Sequence, residues 1–146
     1  MTTVHDVAAY ILQKLGKMTT MKLQKLVYYS QAWSLVWDEK PLFKNRIEAW
    51  ANGPVAPDLY NIHRGKFTVA AWPKGDPKKL GQTEKETIDA VLNFYGVKSS
   101  QWLSDLTHGE APWRDARDGF APGQFCDAEI TPAAMAEYYG GLSKAE

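Results

Sequence analysis

The chain has 146 residues, the size of one domain. Lys plus Arg equal Asp plus Glu at 17 each, which disfavours nucleic acid as a partner because a basic footprint is the usual requirement. The hydrophobic fraction of 45% and charged fraction of 23% fit a soluble globular protein, no uncharged apolar run reaches membrane-spanning length, and MTTVHDVAAYILQKLGK lacks the basic start of a signal peptide. A single cysteine, Cys126, excludes an internal disulfide and suits a reducing cytoplasm. Six Trp and seven Tyr are an unusual load, and large aromatics dominate interface hot spots as well as cores.

Residues 4–15 place Val4, Val7, Ala8, Ile11, Leu12 and Leu15 on one helical face, closed by Gly16. Thr20 to Glu39 is the predicted central helix, capped by Thr20 and stopped before Pro41. Leu23, Leu26, Val27, Trp33 and Trp37 form one face, and Tyr28, Tyr29, Leu35 and Val36 add a second arc. A helix apolar nearly all round is buried on several sides. Its polar remainder is narrow: Lys22, Gln24, Lys25 and Gln31.

Alternation predicts a strand at 46–51, and Asn52-Gly53-Pro54 with Pro57 predicts a tight rigid loop after it. A short helix over 57–63 follows, closed by Gly65. Residues 66–72 read as a strand that pairs with the first as a small hairpin. Residues 73–81, rich in lysine and breakers, read as an exposed, mobile loop.

Thr83 with Glu86 makes a capping-box pattern for a helix burying Ile88, Val91, Leu92 and Tyr95 before Gly96. Ser99 or Ser100 caps a helix burying Trp102, Leu103 and Leu106, and Pro112-Trp113 opens a further turn. Residues 118–128 read as a loop. The last helix runs from Thr131-Pro132 to Tyr139, stopped by Gly140-Gly141, with a frayed tail. The expected fold is mainly α: one compact helical domain over residues 1–146, core at about 4–140, with a small β-hairpin insertion.

Catalytic signatures are missing. His5, His63 and His108 lack metal-ligand spacing, and no phosphate-cradling or nucleophile motif occurs. No catalytic residue, cofactor or metal is expected, and the protein is read as a non-enzyme. The enzymatic alternative rests on His108, where Asp105 or Glu110 would orient the ring as a base in a hydrolytic or metal-assisted site. The competing reading is a capping histidine that anchors a loop.

Three stretches in order carry a family resemblance. TMKLQKLVYYSQAW at Thr20–Trp33, PLFKNRIEAWANGPVAPDLY at Pro41–Tyr60 and LSDLTHGEAPW at Leu103–Trp113 resemble the boxes of the Panacea antitoxin-domain family. That family takes in phage-associated GepA-like proteins and the proteolytic adaptor SocA. The resemblance implies a bacterial, cytoplasmic antitoxin that neutralises a cognate protein toxin by direct binding. SocA provides the alternative, delivery of the toxin to a ClpXP-type protease complex; exposed aromatics serving a homodimer are a further alternative. The expected partner-binding residues are Trp50, Asn52, Gly53, Pro54, Tyr60, His108, Glu110 and Trp113, on loops held by a rigid scaffold. The opposing reading makes the tryptophans interior and the boxes locks on the fold.

Overall fold

An apolar helix needs partners on several sides, and Thr20–Trp37 (α2) has them. The computed structural model describes residues 2–145. In it α2 packs against Val4–Leu15 (α1), Gln82–Tyr95 (α4), Ser100–His108 (α5) and Pro132–Ala145 (α7). Two shorter helices, Pro57–His63 (α3) and Ala111–Ala116 (α6), complete a mainly α fold with two small two-stranded sheets. Among the described residues no helix is long and apolar enough to cross a membrane.

Thr19 caps α2, its hydroxyl accepting the Lys22 N–H at 3.1 Å, and the helix ends at Trp37. Of the polar remainder, Gln24, Lys25 and Gln31 are buried. The two glutamines serve backbone that lies outside regular structure. Gln31 accepts the Leu42 N–H at 2.8 Å and donates to the Phe43 carbonyl at 2.9 Å. Gln24 accepts the Ala56 N–H at 2.8 Å and donates to the Ala56 carbonyl at 3.3 Å. Buried backbone must find partners, and a side-chain amide supplies a donor and an acceptor together.

The strand at 46–51 does not pair with 66–72. Glu48–Trp50 (β2) folds back on Gly53–Val55 (β3), the segment expected as loop, with Ala49 opposite Pro54. Gly53 has φ 124°, and this positive φ lets the chain reverse within two residues. On its other side β2 meets the end of the 118–128 segment, where Ala49 N–H donates to the Ala128 carbonyl at 2.9 Å. Thr68–Val69 (β4) pairs instead with Met18–Thr19 (β1), just ahead of α2.

Other boundaries move for identifiable reasons. Helix α4 starts at Gln82, because Glu84 accepts the Gly81 N–H at 2.7 Å and supplants the Thr83–Glu86 box. Helix α7 continues through Gly140-Gly141, since a helical glycine only weakens a helix, and Leu142 beyond it lines a groove with Trp37 and Phe94. Trp102 is 40% exposed, not interior, with the Lys98 ammonium 4.7 Å above its ring. The 73–81 segment is fastened to α1, where Asp6 accepts the Asp76 N–H at 2.8 Å.

The helices meet at one carboxylate. Glu110, between α5 and α6, is 6% exposed, and its Oε1 accepts the hydroxyls of Tyr29 and Tyr139 at 2.7 Å each. Tyr28 hydrogen-bonds Tyr139 at 3.0 Å, and Tyr29 stacks on Tyr95 of α4 at 4.1 Å. Burial pushes the Glu110 pKa up, and the two hydroxyls only partly oppose this. Glu110→Ala leaves two buried hydroxyls without an acceptor and should lose about 3 kcal/mol in urea unfolding, whereas Glu110→Gln keeps the acceptor oxygen and should lose clearly less. The raised pKa sets a sign: relative to Glu110→Gln, wild-type stability is greatest below the ordinary glutamate range and falls as pH rises through the raised value.

Candidate protein-binding site

The hairpin β2–β3 projects Trp50 and Asn52 beside the first turns of α2, and this end of the molecule is braced from behind. Ser104 donates to the Asn52 carbonyl at 2.8 Å, and Trp113 donates its indole N–H to the Trp50 carbonyl at 2.7 Å. Arg117, buried, donates to the Ala49 carbonyl at 2.9 Å and carries its guanidinium 5.1 Å over the Trp113 ring. The second and third family-like boxes therefore meet in space: one forms the hairpin, the other grips it.

In front of this brace lies a cleft of about 250 Å³ between α2, the hairpin, α3 and the 118–128 segment. Trp50 meets Tyr60 edge-to-face at 4.9 Å, and Phe125 lies 6.3 Å from Trp50 with 68% of its surface exposed. Asn52 is exposed, while Trp50 and Tyr60 are half-buried. Gln24, Lys25 and His63 form the inner lining, and Gln24 Nε2 lies 3.0 Å from His63 Nε2.

Not every expected residue faces outward. Gly53 and Pro54 are buried in the hairpin, and a Cβ on Gly53 would lie 2.4 Å from Lys25 Cε. Glu110 is enclosed by its two tyrosines. Trp113 and His108 stack on each other at 4.1 Å, half-buried behind the hairpin. Burial lowers the His108 pKa, partly offset by a hydrogen bond to the Asn52 backbone. Its Nε2 is buried without a hydrogen-bond partner.

The base-and-orienter pair that an enzymatic reading requires is not assembled. Asp105 accepts the Gln101 amide at 2.8 Å, and Glu110 points into the tyrosine cluster. Among the described residues no three His, Cys, Asp or Glu side chains converge as a metal site.

Residues 23–114 match the model described as antitoxin SocA-like, Panacea domain. The chain belongs to the Panacea family. The matched segment runs from α2 to α6 and contains the hairpin, Ser104 and Trp113 of its brace, and most of the cleft. Comparisons with curated proteins and with solved structures gave no match. Membership gives this Panacea domain a general antitoxin role.

Phe125, Arg117 and Lys25 are among the site residues that escape sequence reasoning. Phe125 sits in a segment without periodicity, and Arg117 lies just past a six-residue helix. Lys25 had a signal, since it stands between Leu23 and Leu26 in a helix with little room for a solvated face. Burial holds the Lys25 ammonium pKa down at about 8. A buried cation opposes folding, so Lys25→Met should raise stability at pH 7 by about 3 kcal/mol. Between about pH 8 and the ordinary lysine value the unfolded chain binds a proton that the folded chain does not. Wild-type stability should therefore rise with pH across that window and approach the variant, as followed by denaturant titration.

Proposed function

We propose that the Trp50 cleft is the surface by which this Panacea domain binds a cognate protein toxin and holds it inactive. The observation that carries the reading is the placement of Trp50, Tyr60 and Phe125 around a concave opening on a hairpin fixed from behind by Ser104, Trp113 and Arg117. Rigid aromatic anchors are the usual hot spots of protein interfaces, and a braced scaffold lowers the ordering cost of binding. Neutralisation by contact asks for no acid–base machinery. In this reading the chain acts as one domain, in the cytoplasm, and Glu110, His108 and Trp113 support the surface without touching the toxin.

A second apolar groove competes for the role. Trp33, Trp37, Phe94 and Leu142 line an opening of about 430 Å³, with Trp37 47% exposed. It lies outside the hairpin–brace unit and is built from the end of α2 with α4 and α7. The Trp50 cleft is favoured because its lining, His63 and Phe125 apart, falls in the first two family-like stretches, whereas Trp33 alone of the groove does.

Co-expression with the product of the neighbouring gene tests the assignment. Wild type should rescue growth and co-purify with the toxin. Trp50→Ala should weaken the complex roughly tenfold or more and abolish rescue. Its circular dichroism should stay unchanged, because Trp113 is held by the Trp50 backbone oxygen. Full neutralisation by this variant, combined with loss on Trp37→Ala, would move the interface to the other groove. A toxin that accumulates in the complex indicates sequestration; one that disappears indicates delivery to a protease.

A further inference from the structure

Lys25 is 1% exposed, and among the described residues no carboxylate or hydrogen-bond acceptor is paired with its ammonium. Such an arrangement is unusual, because a buried charge is normally paired or neutralised. Its surroundings do not compensate. Burial lowers the pKa of both His63 and His108, and the Lys25 charge repels their protonated forms and lowers both further. The Gln24 amide is occupied by Ala56 and His63. Glu48, beside the cleft, is engaged by Arg46 at 2.8 Å and by the Trp50 indole at 2.8 Å, and does not line the opening. The lining holds no acidic side chain at all. Gly53 lies against the lysine so closely that a methyl group there would displace it.

We infer that the cleft is a carboxylate-binding site in which an aspartate or glutamate side chain of the bound protein enters past the rim of Trp50, Tyr60 and Phe125 and pairs with Lys25. A partner carboxylate supplies the missing counter-charge where low polarity makes the attraction strong. The size agrees: about 250 Å³ is below the range of drug-sized ligand sites and suits one side chain. A single ammonium without arginine matches one carboxylate better than a phosphate, which favours several donors. Capture of a chain terminus uses nests of backbone N–H groups, whereas the N–H that follows Val55 is already taken by Gln24. The inference rests on the toxin-binding reading only for the identity of the protein that carries the carboxylate.

Two arms test it. In the first, the isolated protein is titrated with sodium phenylacetate and with its neutral isostere phenylacetamide, following the Lys25 Cε and Trp50 indole signals by NMR. Phenylacetate should shift both signals saturably, and phenylacetamide should bind roughly tenfold more weakly. Lys25→Met should remove that difference. Equal binding of the two probes by wild type, or no saturable shift, overturns the inference. In the second arm, the complex with the neighbouring-gene toxin is measured for wild type and Lys25→Met. A loss of roughly tenfold or more, reproduced by one Asp→Asn or Glu→Gln substitution in the toxin and not deepened by combining the two, supports the pairing. Equal toxin binding by both proteins, or a loss produced only by trimming the toxin's C-terminus, overturns it. Discrimination between the probes without any toxin binding leaves the carboxylate site standing and removes the toxin reading.

Discussion

Two tyrosine hydroxyls converge on a single carboxylate oxygen of Glu110, and the placement of the Trp50 hairpin follows from that convergence. Tyr29 belongs to the central helix, Tyr139 to the last, and Glu110 to the corner between α5 and α6. Fixing the corner fixes what flanks it. His108 stacks on Trp113, Trp113 holds the Trp50 carbonyl, and Ser104 one turn earlier holds Asn52. A carboxylate inside the protein thus governs the position of an aromatic ring at its surface. Part of the buried polar network acts as architecture, which is why a family box can look functional in sequence while its acidic residue faces the core.

The central helix divides its labour around its circumference. Tyr28 and Tyr29 make the core against α4 and α7. Gln24 and Lys25 turn toward the hairpin and α3. Gln24 satisfies both backbone groups of Ala56 and so sets where α3 starts. Lys25 has no such task. Its burial works against stability, and nothing in the surrounding packing is improved by its charge. A residue that weakens the free fold and lines an opening rimmed with aromatic rings has its physical explanation in what enters that opening.

Much of the helical framework was legible because apolar periodicity survives tertiary context: α1, α2, α4 and α5 lie close to where Val4, Leu23, Ile88 and Leu103 predict. Strand pairing was less legible. The 66–72 segment has the right composition for a strand but only two residues pair, and their partner is the connection before α2. Period-2 alternation does not encode a partner. Helix ends depended on single hydrogen bonds, as with Glu84 displacing the Thr83 box. The site was half legible. Trp50, Asn52 and Tyr60 lie at the cleft, whereas Glu110, Gly53 and Pro54 are interior, since sequence shows that a box is special without showing which way it faces. Phe125 and Arg117 belong to the site through long-range contacts that leave no local pattern.

Hydrogen–deuterium exchange on the complex between this protein and its neighbouring-gene toxin is the most direct test of where the partner sits. The account predicts slowed exchange in residues 50–56 and 120–126 and in the first turns of α2, with α4 and the end of α7 unchanged. Protection confined to α4 and α7, around Phe94 and Leu142, would contradict it and place the toxin on the opposing groove.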